Sequence, residues 1–234
     1  MITLVISVDQ LRCDEVQVDG HAYRHLFRAR RLSEDAVVRL VDGRGAARFA
    51  RAVAVGASSA RLALGEAAPA NEPARHVELL APIPKASRLS WMVEKATEIG
   101  VSGIRLMQTE RAPREVGVGT LERLRRVAVA AVEQSHRAVV PVISGVHAFS
   151  ALPDLMESIP ERWFLQPQSA PPDAFPSASA ALLLVGPEGG WSPDEVEQLT
   201  DWGCRPMGLG PTVMRIETAA AVGCAGLLIE SLFQ

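Results

Sequence analysis

Up to about residue 70, apolar and polar residues alternate in short runs, Ile2 to Val8, Glu15 to Val18, Ala36 to Val41, Ala46 to Val55 and Ala60 to Leu64. Period-two alternation of this kind predicts β-strands with one face in a core. A single helical stretch, about Ala22 to Arg30, interrupts them, and Asp42-Gly43-Arg44-Gly45 between two β-rich runs is a hairpin signal. The expectation is a small β-barrel domain over residues 1–70, ending in a linker, Gly65 to Pro73, that carries two prolines. From residue 74 to 234 strands alternate with helices, the pattern of a mainly parallel sheet covered on both faces. Strands are predicted near His76 to Ile83, Ile104 to Gln108, Arg162 to Leu165, Ala181 to Val185 and Arg205 to Gly208. Helices are predicted over Ala86 to Ile99, Thr120 to Arg137, Phe149 to Ser158, Pro193 to Trp202 and Ile216 to Phe233. In the first of these helices Leu89, Met92, Val93, Ala96 and Ile99 form one apolar face, with Arg88 and Lys95 along its edge.

The longest apolar runs, Ala180 to Val185 and Ala219 to Ile229, are too short for a bilayer span, which needs roughly 20 residues. The start of the chain has no basic region ahead of its apolar run and reads as a strand, so a cytoplasmic protein is expected. Three cysteines without a Cys-x-x-Cys pair, and five histidines with no accompanying carboxylate arrangement, predict buried free thiols and no metal site. The net charge of −3 hides an asymmetry. After residue 137 the only basic side chains are Arg162, Arg205 and Arg215, whereas eight arginines (24, 28, 30, 31, 39, 44, 48 and 51) fall between residues 20 and 51. A polyanion would therefore bind the first part of the chain.

Two segments carry the chemistry. In the first, an apolar run from Leu182 to Val185 leads into Gly186-Pro187-Glu188-Gly189-Gly190-Trp191, and then a helix start with Ser192 as N-cap, Pro193 at N1 and Glu195 at N3. A glycine-bearing loop at the carboxyl end of a buried strand is where ligands of α/β sheets bind. The spacing matches neither the dinucleotide fingerprint nor the Walker loop. The second segment, Gly208-Leu209-Gly210-Pro211-Thr212-Val213-Met214-Arg215-Ile216-Glu217-Thr218, repeats the arrangement of strand end, glycine-bearing loop and helix. Glu188, Arg215 and Glu217 are the charged groups of the two loops.

Gly186 to Gly190 followed by a capped helix, and Leu209-Gly210-Pro211-x-x-Met214-Arg215-x-Glu217-Thr218-Ala219, closely resemble the RsmE family of RNA methyltransferases. Lys85 with Glu94 to Val101, and Glu133-Gln134-Ser135-x-Arg137-x-x-x-Pro141, resemble its two upstream motifs in order and spacing, so the resemblance covers most of residues 75 to 234. The N-terminal part is a weaker match, through His25-Leu26, Arg30-Arg31-Leu32 and Val41-Asp42-Gly43.

The resemblance implies a SPOUT-type α/β domain with a C-terminal trefoil knot and an N-terminal PUA-like RNA-binding barrel. It implies S-adenosylmethionine as cofactor, uridine N3 of 16S ribosomal RNA in the small subunit as target, and a homodimer. On the matching positions, Leu165, Pro167, Gly186, Glu188, Gly189, Gly190, Leu209, Gly210, Met214, Arg215 and Thr218 would surround the cofactor. Glu188 or Glu217 would take the N3 proton, or Arg215 and Arg137 would stabilise the uracil anion. Arg28, Arg30, Arg31, Lys85, Arg88 and Lys95 would contact RNA. The chain departs from the family pattern in lacking an arginine-bearing segment before its first strand, in His136 where glycine is usual, and in Gln166 where histidine is common. Two other readings stay open, the same chemistry on another RNA and a non-catalytic RNA-binding protein of ribosome assembly.

Overall fold

The computed structural model describes residues 1–172 and 178–229, and divides into two compact units. The first comprises Met1–Glu72 with Val129–Val140. Its strands are β1 (Thr3–Val5), β2 (Glu15–Val18), β3 (Val37–Val41), β4 (Ala47–Val55) and β5 (Ala60–Ala67). They form a barrel-like sheet in the order β1-β3-β4-β5-β2, antiparallel except for the parallel β1–β3 pair. Leu26, Leu40 and Leu62 are fully buried at its centre. Asp42 makes the β3–β4 hairpin by accepting the backbone N–H of Arg44 and Ala46 at 2.8 and 3.0 Å.

The first strand is shorter than expected, because Ser7 and Gln10 form a capping box that starts α1 (Val8–Arg12). The expected helix near Ala22 is α2 (Gly20–Tyr23) running into a π-helical turn, Arg24–Ala29.

Two arginines of this unit are structural. Arg39 is fully buried, and its guanidinium donates to the carbonyls of Pro69, Ala70, His136 and Arg137. Desolvation lowers its pKa, with the nearby Glu72 carboxylate opposing. Arg137, also buried, donates to Glu72, which accepts the backbone N–H of Ala138 and Val139 as well. These bonds hold residues 136–139 in the first unit, where a division of the sequence at residues 70–74 had not put them. His136 has φ +58°, in the left-handed region that favours glycine.

The second unit comprises Pro73–Ala128 and Pro141–Gln234, described here up to residue 229. Its strands are β6 (His76–Pro82), β7 (Gly103–Met107), β8 (Val142–His147), β9 (Glu161–Leu165), β10 (Ala180–Leu184) and β11 (Arg205–Met207). All pair in parallel, in the order β11-β9-β10-β6-β7-β8. Leu79 to Ala81 and Leu182 to Leu184 are fully buried, as a sheet covered on both faces requires.

The helices are α3 (Ala86–Ile99), α4 (Val118–Ser135, whose last turns belong to the first unit), α5 (Leu152–Met156), α6 (Pro193–Asp201) and α7 (Ile216–Ile229). The expected helix from Phe149 is a 3-10 turn, Phe149–Ala151, followed by the short α5. The end of the last predicted helix, residues 230–233, lies outside the described residues. Helix α7 packs on α3, β6 and β10. Cys204 and Cys224 are buried thiols pushed up to about 11 and about 12 by desolvation, whereas Cys13 is exposed, contrary to expectation. No helix among the described residues is long and apolar enough to cross a membrane.

Candidate functional site

Because the strands are parallel, the carboxyl ends of β9, β10 and β11 lie along one edge of the sheet, and the three following segments enclose a cavity of about 680 Å³. Of the expected cofactor residues, Leu165, Pro167, Gly186, Glu188, Gly189, Gly190, Leu209, Gly210, Met214 and Arg215 line it. Thr218 does not; it is half-buried in the first turn of α7, between the lining residues Ile216 and Ala219.

The loop after β10 is fastened on several sides. Trp191 folds back so that its indole N–H donates to the Leu165 carbonyl at 3.0 Å, tying the ends of β9 and β10 together. A Cβ at Gly186 would stand 2.9 Å from that indole nitrogen, so only glycine admits the fold-back. Arg111, from the turn after β7, donates to the carbonyl of Gly189 at 2.6 Å and of Trp191 at 3.4 Å. The capping box of α6 forms as expected, and Glu195 also accepts the backbone N–H of Glu110 at 2.8 Å. Neither Trp191 nor Arg111 stood out in the sequence. At Gly190 (φ +73°) and Gly210 (φ +115°) a Cβ would meet no protein atom within 4 Å, so both leave backbone open to a ligand.

Arg88 of α3 lines the cavity and bridges two carboxylates, with Nη1 3.0 Å from Glu188 Oε1 and Nε 3.5 Å from Glu217 Oε1. The Glu188 side chain is 56% exposed and that of Glu217 only 8%. Oε2 of Glu217 is buried without a hydrogen-bond partner. Arg215 is exposed at the cavity, and among the described residues it forms no ion pair.

The other expected site residues are placed differently. Arg137 is not among the lining residues, its guanidinium being buried on Glu72. Lys95 points its ammonium at Glu94 and Glu98 of its own helix, whose hydrogen bonds raise its pKa. Lys85 is exposed at the N-cap of α3. Arg28, Arg30 and Arg31 are exposed on the first unit, Arg28 donating to the Ala57 carbonyl at 2.8 Å. No group of three or more His, Cys, Asp or Glu among the described residues is placed to hold a metal ion.

The residues present suit S-adenosylmethionine. The volume lies in the roughly 300–1,000 Å³ range of small-molecule sites. Apolar side chains (Leu165, Leu209, Met214) and open backbone at Gly190 and Gly210 fit a ligand with a flat base and a polar tail. Replacing Gly186 by valine is expected to displace Trp191 and lower cofactor affinity by at least about tenfold, the equivalent of one lost hydrogen bond of roughly 1–1.5 kcal/mol. Calorimetric titration with the cofactor measures it, and unchanged affinity would remove this loop from the site.

Comparison with known proteins agrees with this geometry. The RNA methyltransferase domain model matches residues 70–228, and the RNA methyltransferase PUA domain model matches residues 18–63. Ribosomal RNA small subunit methyltransferase E of Mycobacterium bovis is 34% identical over 232 residues, covering 90% of this chain and 86% of that protein. The Bacillus subtilis protein of the same name is 32% identical over 151 residues, 58% of this chain and 59% of that protein. The crystal structure of the Neisseria gonorrhoeae protein of that name, bound to S-adenosyl methionine, superposes with a TM-score of 0.86 at 23% identity, covering 98% of both chains. The expected α/β domain built on a parallel sheet and the expected PUA domain at the N-terminus are both found. With both domains matched in order and the glycine loops meeting at one cavity, this chain belongs to the ribosomal RNA small subunit methyltransferase E family.

Proposed function

We propose that this RNA methyltransferase uses S-adenosylmethionine to methylate N3 of a uridine in 16S ribosomal RNA of the small subunit, and that it does so in the cytoplasm as a homodimer. The observation that carries the reading is the cavity at the ends of β9, β10 and β11, with Glu188, Arg88 and Arg215 on its wall. The cofactor supplies an electrophilic methyl group. The chain's own residues do the rest. Leu165, Leu209 and Met214 exclude water from the cofactor side, and the fastened loop Gly186 to Trp191 fixes the direction from which the base approaches. Such fixing of reacting groups supplies up to roughly 7–11 kcal/mol in favourable cases.

Uridine N3 carries a proton at neutral pH, so a base has to take it or a cation has to stabilise the anion. Glu188, exposed on the cavity wall, is the proton acceptor in this reading. Arg215, with no carboxylate partner in the described residues, faces the uracil oxygens where charge collects. Glu217 is the alternative base, and Arg137, committed to Glu72, has no part. The test is mass spectrometry of 16S RNA nucleosides after incubating cofactor and protein with unmodified small subunits. A 3-methyluridine is expected. Methyl on a ribose oxygen, or on another RNA only, would replace this substrate, and no cofactor binding would leave a non-catalytic RNA-binding protein.

RNA contacts in this reading come from exposed basic groups of the first unit, above all Arg28, Arg30 and Arg31, with Lys85 in the second. Changing the three arginines together to alanine is expected to weaken RNA binding, to flatten its salt dependence by about 0.7–0.9 per lost phosphate contact, and to leave cofactor affinity unchanged. An unaltered salt slope would make the cluster a solvated surface only. The dimer is supported by Trp91 on α3 and Val222 on α7, which are 41% and 42% exposed although these helices pack on one another. A sedimentation mass twice the 25.1 kDa of the chain is expected at micromolar concentration, and a monomer mass would refute it.

A further inference from the structure

We propose that Arg88 is a positioning residue for proton removal, one guanidinium holding Glu188 over the cavity and handed on to Glu217 when Glu188 takes the proton. The proposal deepens the functional reading above and rests on it. The sequence placed Arg88 among the groups that would contact RNA phosphates. In the structure its guanidinium is turned to carboxylates of the cavity instead, at 3.0 Å from Glu188 and 3.5 Å from Glu217, with 29% of the side chain exposed.

The two glutamates come from different loops, one after β10 and one at the start of α7. Left alone, like charges this close to a shared cation would repel. The planar fork of a guanidinium presents several N–H groups at once and so serves two carboxylates, where an ammonium acts as a point charge. The arrangement at Glu217 is incomplete. Nε of Arg88 is at a long 3.5 Å from Oε1, and Oε2 is buried with no donor at all. A buried carboxylate oxygen without a partner is costly, and it is a ready acceptor for a donor that moves a short way.

Proton transfer provides the reason to move. The N3–H bond breaks and its proton goes to a carboxylate oxygen of Glu188. The electron pair left on N3 forms the bond to the methyl carbon, whose bond to sulfur breaks with its pair kept by sulfur. Glu188 is then neutral, and Arg88 is left with a hydrogen bond to an uncharged acid in place of an ion pair. Glu217 remains an anion with a free oxygen, so a two-oxygen pair with Glu217 becomes the better place for the guanidinium. Arg88 thus keeps the base aimed beforehand and is drawn away once the base has acted.

The test combines kinetics and stability. Arg88→Ala is expected to lower single-turnover methylation of small subunits by about 10²-fold, the loss typical of a misplaced reacting group, with KM for the subunit changed less than about twofold. Arg88→Lys is not expected to restore the rate, because the ammonium cannot span both carboxylates. Adding Glu188→Gln to Arg88→Ala should cost little more than Glu188→Gln alone, since the arginine acts through that base. A phosphate contact would behave otherwise, with a raised KM, a shallower salt dependence and a loss that multiplies with that of Glu188→Gln, and that result overturns the proposal. A thermal-unfolding cycle reads the bridge without activity. Arg88→Ala should lower Tm by a few degrees in the natural chain and by much less in a Glu217→Gln background, because an unpaired buried carboxylate is the source of the loss. Equal shifts in both backgrounds would show that no bridge exists. Failure of the natural chain to methylate small subunits would instead overturn the functional reading, with the unfolding cycle still deciding the bridge.

Discussion

Glu188→Gln is expected to lower the single-turnover methylation rate by about 10²–10⁴-fold, the span of a lost general base. The glutamine keeps the shape and removes only the proton-accepting capacity, so cofactor affinity measured by calorimetry should stay as it was. Glu188 is the better placed of the two glutamates. Its side chain is more than half exposed on the cavity wall, whereas Glu217 is buried in the first turn of α7. A carboxylate in that position is stabilised by the helix dipole whether or not catalysis needs it. Rising pH should partly restore the variant, because loss of the N3 proton to hydroxide then replaces the missing base. A rate close to the natural one, with the same pH profile, would transfer the role to Glu217 or to anion stabilisation by Arg215.

The largest expected effect on stability lies elsewhere in the second unit. Glu161 is 3% exposed and takes an ion pair from Arg75, which is 7% exposed, and the indole N–H of Trp163. Arg75 also donates to the Leu227 carbonyl at 3.0 Å, so the group ties the end of α7 to β9. Arg205 adds a cation 4.1 Å from the centre of the Trp163 ring. Nε of Arg75 already lacks a hydrogen-bond partner. Glu161→Ala would leave a buried guanidinium without its anion, a change that costs about 3–5 kcal/mol. For a chain of this size that is a fall in Tm of roughly 6–20 °C in thermal unfolding. A fall of only a degree or two would mean that Arg75 finds other partners or water.

The parallel sheet was legible because its central strands are unbroken apolar runs, and the cavity because two glycine-bearing loops follow strand ends, one after the apolar β10 and one after the short β11. Strand β8 was not, since Ser144 and Gly145 break the pattern and Val142 is 71% exposed. The capping box at Ser7 and Gln10 was present in the sequence, hidden behind the reading of residues 2–8 as one strand. Arg111 gave no local sign at all, as the carbonyls it holds are 78 and 80 residues away. Charge misled more than hydrophobicity did. Arg39 looks like a member of a basic surface, and Arg137 like a cation for the uracil anion, until folding brings carbonyls and Glu72 around them. A sign was available for Arg39, which stands between Val38 and Leu40 in a strand buried along almost its whole length.

The bonds from Arg39 to the carbonyls of His136 and Arg137 set an order of events during synthesis on the ribosome. When β5 has emerged, the N-terminal sheet has all its strands, yet two of the acceptors for a fully buried guanidinium do not exist. They appear only after some 70 more residues have been made, roughly 3–14 s later at ordinary elongation rates. Over that interval the nascent sheet carries a partly unsatisfied cation at its heart, so its closure waits for residues 129–140, the later segment of its own unit. A messenger truncated near codon 70 would accordingly yield a product for proteases rather than a free-standing RNA-binding module.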